Sequence, residues 1–119
     1  MIRDPERLRI FREADELAFE TYQITADMPM TERYGLQSQI RRAAVSVPCN
    51  IVEGTSRHGA ADYSRFFEIA RGSARETWYL LDLSRRLGLV ERNHSQQLVK
   101  RYAGLQAAIR KFAQTVGKP

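Results

Sequence analysis

The chain has one cysteine, Cys49, among 119 residues. No disulfide can form within it, and a zinc site built from several thiolates is excluded. The two histidines, His58 and His94, lie far apart. There is no HExxH motif, no Glu-x-x-His repeat of a di-iron bundle and no phosphate loop. No apolar run approaches the ~20 residues that cross a bilayer. Met1 to Arg12 carries charge throughout, unlike the apolar core of a signal peptide. No segment alternates polar and apolar residues as a half-buried strand does, and low-complexity tracts are missing. These absences favour a soluble cytoplasmic protein of helical class, with no membrane association and no cofactor.

What remains is a chain suited to one core. Apolar residues make up 43% and charged residues 28%, and the length fits a single domain spanning 1–119. Four segments show helical periodicity. The first, about 6–27, places Phe11, Ala14, Leu17, Ala18, Thr21, Ile24 and Met28 on one face. Pro5 suits its first turn, and Met28-Pro29 ends it. The second, about 34–57, aligns Leu36, Ile40, Ala43, Ala44, Val47, Ile51 and Gly54, with Pro48 inside it, where a kink or local break is expected. The third, about 60–87, has the most regular stripe, from Tyr63 and Phe67 through Ala70, Ala74, Thr77 and Leu81 to Leu87, with Gly88 as its stop. In the fourth, about 92–116, Leu98, Tyr102, Leu105, Ile109, Phe112 and Val116 alternate steps of four and three. Asn93 with Gln96 resembles a capping pair, and Gly117 closes the segment. The short connections predict an antiparallel up-down four-helix bundle.

The second and third helices carry apolar residues beyond their main stripes. Val45, Cys49 and Val52 form one extra stripe, and Ile69, Gly72, Tyr79 and Leu83 form another. Gly72 inside a helix costs about 1 kcal/mol relative to alanine, which suits a place where another backbone comes close. A helix that is apolar on two faces is usually buried on two sides, so these residues are candidates for a homo-oligomer interface. The competing reading is scattered surface apolar residues, which are common. Arg42 and Glu53 on the second helix, with Arg71 and Glu76 on the third, are candidates for structural pairs across the seam, Glu53 with Arg71 or Arg42 with Glu76.

Net charge is +5, and 16 of the 19 basic residues are arginine. The guanidinium fork suits phosphate, although a GC-rich genome would also favour arginine codons. Arg41, Arg42, Arg57, Arg65, Arg71 and Arg75 are the candidate nucleic-acid contacts, and further cations dot the fourth helix. Cys49 as a nucleophile would need a neighbouring base and an exposed thiolate. A buried apolar role is the commoner one, and no enzyme activity is expected.

From Tyr34 to Glu76 the chain resembles a known family. The matching residues are Tyr34-Gly35-Leu36, Gln39-Ile40-Arg41-Arg42-Ala43-Ala44, Ser46-Val47-Pro48, Asn50-Ile51-Val52-Glu53-Gly54, Arg57, Phe66-Phe67, Ile69-Ala70-Arg71-Gly72-Ser73 and Glu76. They are similar to those of the small bacterial four-helix proteins encoded by intervening sequences in 23S ribosomal RNA genes. The first and fourth helices match mainly by pattern, and Ala74, Thr77, Trp78 and Tyr79 depart from the residue sizes expected. The resemblance implies a homopentameric barrel of bundles. It also implies kinship with the accessory variability determinant of diversity-generating retroelements, a basic pentamer that works with nucleic acid and a reverse transcriptase.

The leading expectation is a non-enzymatic homo-oligomer that binds nucleic acid, RNA ahead of DNA. The alternative is a protein–protein interaction scaffold whose charge serves only solubility.

Overall fold

A computed structural model describes residues 1–116; Gly117, expected to close the last helix, lies outside them. Four helices follow one another: α1 (Arg9–Thr25), α2 (Leu36–Thr55), α3 (Ala60–Arg86) and α4 (Arg92–Val116). No strand occurs among the described residues. Each helix packs on two others in the cyclic order α1, α2, α3, α4 and back to α1. The body measures 47 × 23 × 19 Å. No helix is long and apolar enough to cross a membrane.

The stripes meet along the central axis. Leu17, Ile40, Val47, Ile51, Tyr63, Phe67, Leu81, Leu98, Tyr102 and Ile109 are fully buried. Phe67 stacks on Tyr63 at 4.9 Å between ring centres and lies 5.0 Å from Phe112, close enough for favourable aromatic contact. Gly54 is needed here: a Cβ would stand 2.8 Å from Phe67 Cε1 and 3.1 Å from Phe66 Cβ. Among the described residues most polar groups in the core are paired, the Ser84 hydroxyl being an exception. The Thr21 and Tyr102 hydroxyls share a hydrogen bond of 2.9 Å, and Thr21 also donates to the Leu17 carbonyl. Burial pushes the Tyr102 phenol well above its ordinary pKa, only partly opposed by the Thr21 hydrogen bond.

The helix ends refine the expectations drawn from the sequence. Pro5 opens a 3-10 turn, Pro5–Arg7, capped by the Asp4 carboxylate, and α1 begins only at Arg9. Pro48 does not break α2, which runs through it. Leu87, expected on the buried stripe, is instead the exposed cap of α3, because the chain turns away there. Gly88 takes φ of +73°. The amide of Leu89 donates to the Ser84 carbonyl and that of Gly88 to Arg85, the two bonds of a Schellman turn. The cap of α4 is not Asn93 with Gln96. Glu91 accepts from the amides of Asn93 and His94 at 2.9 and 2.7 Å. Those amide bonds hold the Glu91 carboxyl below its ordinary pKa.

Two devices tie the bundle together outside the core. The N-terminal segment crosses to the α2–α3 loop, where Arg3 donates to the carbonyls of Arg57 and His58, and Tyr63 Oη donates to Ile2. Between α1 and α4, Arg101 meets Glu13, Glu16 and Glu20 at 3.2, 3.3 and 2.5 Å, and His94 Nε2 lies 3.0 Å from Glu20. Burial works to raise the Glu20 pKa, but the His94 and Arg101 hydrogen bonds outweigh it and hold the carboxyl below the usual range.

Candidate nucleic-acid interface

The six candidate arginines do not form one surface. Arg41 is occupied. Its Nε donates to Thr25 Oγ1 at 2.9 Å, its Nη2 donates to the Tyr22 carbonyl at 3.1 Å, and its guanidinium lies over the Tyr22 ring. The last carbonyls of a helix lack partners within the helix and attract a cation, so Arg41 serves the end of α1. Arg57 and Arg65 both lie over the Phe66 ring, at 4.5 and 4.4 Å. Arg57 is paired with Glu53 at 2.6 Å and Arg65 with Asp62 at 3.0 Å. Their charge is largely answered within that tip of the molecule.

Arg71 and Arg75 differ. They stand one turn apart on α3 and line a groove of about 340 Å³ against α4, whose other walls are Gln106, Ala107, Arg110, Lys111 and Gln114. Four cations line this groove and no carboxylate does. Arg75 reaches Gln106 Oε1 at 3.4 Å and lies 5.8 Å from the centre of the Trp78 ring. Arg71 keeps a carboxylate partner, Glu68, at 3.0 Å on its own helix. Arg110 and Lys111 make no ion pair among the described residues and are exposed. In the sequence both stand out only as basic residues of the fourth helix, with nothing to place them at a site. Residues 107, 110 and 114 share a face of α4 by their three- and four-residue spacing. Which face of α3 they meet is a tertiary fact that no spacing contains.

The expected seam pairs are corrected. Glu53 and Arg71 do not pair: Glu53 meets Arg57 just past the end of α2, and Arg71 meets Glu68 one turn back on α3. Arg42 and Glu76 line a common cleft of about 500 Å³ between α2 and α3, yet they form no ion pair. The seam beside them is closed instead by small polar side chains: Ser46 Oγ and Ser73 Oγ lie 2.8 Å apart, and Asn50 donates to Ser46.

The extra stripes face outward in the single chain. Val45, Val52, Ile69 and Tyr79 keep 37–50% of their surface exposed. Gly72 has open space where a side chain would be. Leu83 is half-buried, and Cys49 is exposed rather than a buried apolar residue. Phe19 and Tyr22 of α1 are further exposed aromatics, outside both stripes. No cluster of His, Cys, Asp and Glu fit to hold a metal ion occurs among the described residues.

None of the curated proteins matches the chain. A crystal structure of a protein of unknown function from the S23 ribosomal protein family of Bacteroides thetaiotaomicron is similar to it. The TM-score is 0.77 at 20% identity, over 87% of this chain and 97% of that one. At that identity the likeness speaks for the fold. A family model described as 23S rRNA-intervening sequence protein matches residues 6–111. That span takes in α1, α2, α3 and most of α4, and the chain belongs to the family of 23S rRNA-intervening sequence proteins.

Proposed function

We propose that this protein is a non-enzymatic, self-assembling protein that binds nucleic acid, RNA foremost, through the α3–α4 groove. The observation that carries this reading is the groove's composition: Arg71, Arg75, Arg110 and Lys111 with no carboxylate among them. Phosphate contacts of this kind supply affinity without reading sequence. RNA is placed ahead of DNA because the family's description ties its members to ribosomal RNA intervening sequences. The short connections and cyclic packing support an up-and-down arrangement of the helices. The outward apolar stripes support assembly, for which the homopentameric barrel implied by the resemblance is the form we propose. Kinship with the accessory variability determinant, and a reverse-transcriptase partner with it, belong to the same proposal.

A filter-binding titration of structured RNA at several salt concentrations tests the groove. With three to four phosphates neutralised per chain, the logarithm of the association constant falls with that of salt at a slope of about −3. Replacing Arg75, Arg110 or Lys111 by Ala removes about one unit of slope each. Flat, undetectable binding at low salt refutes the proposal and leaves the protein–protein scaffold.

A further inference from the structure

The two exposed stripes have the spacing by which helices join one another. On α2, residues 42, 45, 49 and 52 follow at steps of three, four and three; on α3, residues 69, 72, 76, 79 and 83 follow at three, four, three and four. This is the repeat of a helix–helix seam. Each seam is apolar or small at every position but one. On α2 the exception is Arg42, and on α3 it is Glu76. Both are exposed, and neither makes an ion pair or side-chain hydrogen bond among the described residues. They stand out on their own helices. The other cation of α2, Arg41, is held by α1, and the other carboxylates of α3, Asp62, Glu68 and Asp82, all have arginine partners.

A lone charge in an apolar seam is costly to cover unless the covering surface brings the opposite charge. Such a residue sets which partner fits and in which register. One seam here needs a carboxylate opposite it and the other needs a cation, and this chain supplies both. Gly72, with nothing near it, lets a second backbone approach. We infer that the α2 seam of one chain packs on the α3 seam of a second copy, with Arg42 facing the second copy's Glu76. This rests on the self-assembly reading above and adds the residues that fix its register.

The test uses charge reversal in trans, with mass followed by light scattering and native mass spectrometry. Arg42→Glu and Glu76→Arg each place like charges in the seam, and each variant alone loses association by roughly 100-fold or more. Mixed, the two variants associate with each other, since the carboxylate introduced at position 42 of one meets the guanidinium introduced at position 76 of the other. Alternation around a ring of five leaves one like-charged contact, so the readout is species of mixed composition and not a closed pentamer. Helical content is unchanged, because both positions are exposed. Should a reversed charge prevent folding, Arg42→Gln and Glu76→Gln replace it, each weakening assembly to a lesser degree. A wild-type protein that is monomeric at every concentration overturns the self-assembly reading and this inference together. A wild-type protein that assembles, with single variants that assemble equally well, overturns the inference alone. So does restored assembly of the double variant in one chain without co-assembly of the mixture, which would place the pair within a chain.

Discussion

The same substitution at two helical glycines is expected to act with opposite sign. At Gly54 an added Cβ stands 2.8 and 2.9 Å from Phe67 Cε1 and Cδ1, and 3.1 Å from Phe66 Cβ. The Phe67 ring cannot yield cheaply, being fully buried and held between Tyr63 and Phe112. Forcing a methyl into such a site costs about 1–3 kcal/mol. The helix-propensity gain of alanine over glycine is at most about 1 kcal/mol, and smaller at Gly54, one residue from the end of α2. Gly54→Ala therefore destabilises by about 1–2 kcal/mol. At Gly72, in mid-helix with open space before it, only the propensity term acts within one chain. Gly72→Ala stabilises the dilute protein by about 1 kcal/mol, equivalent to ~4 °C in Tm. Urea unfolding followed by circular dichroism reads both, at dilute and concentrated protein. A close-packed assembly would make the Gly72→Ala gain shrink or reverse as concentration rises. A Gly54→Ala protein as stable as the wild type refutes the packing argument. A Gly72→Ala protein destabilised even when dilute refutes the claim that its surroundings are open.

Two further perturbations test the polar core and the α1–α4 seam. Thr21→Val strands the Tyr102 hydroxyl in the core and costs about 1–3 kcal/mol, most of it recovered in the Thr21→Val, Tyr102→Phe double variant; equal losses in the single and double variants would sink this account. Glu20 has a folded pKa below its ordinary 4.5, so its contribution is present above that value and is lost as pH falls through the lower folded one. Melting temperatures should therefore drop less steeply in Glu20→Gln than in the wild type between roughly pH 5 and 3. Coincident acid limbs would contradict this, while Asp82, lowered by its Arg85 hydrogen bond, acts in both proteins alike.

Periodicity located the helices within a few residues and nearly all of the core, because steps of three and four leave little choice of buried face. It failed at ends decided by single contacts. Glu91 caps α4 in place of Asn93 because α4 begins at Arg92, which puts Glu91 just before the helix, within reach of two amides, and Asn93 inside the first turn. The outward stripes were also legible, since a helix apolar on two sides shows both in its own sequence. The groove was not. The sequence offers Arg71 and Arg75 as candidates, Arg71 with a structural role set ahead of contact, beside Arg41, which α1 takes up, and Arg57 and Arg65, which Phe66 and nearby carboxylates take up. An arginine's availability depends on what the fold brings within reach, and composition carries no trace of that.

Helix α3 is the element that the two proposed surfaces share, and its geometry keeps them apart. Successive residues stand about 100° apart around a helix. The step from Arg71 to Gly72, or from Arg75 to Glu76, leads from the groove side to the seam side. Helix α4 contributes to the groove and not to the seams; α2 contributes to the seams and not to the groove. Copies joined through α2 and α3 would therefore leave each α3–α4 groove open and repeat it once per chain. A polyanion long enough to reach several grooves would then be held at high effective concentration by sites that are each weak. On this geometry a chain that cannot assemble keeps its groove and its salt dependence per chain, and loses the affinity that repetition adds.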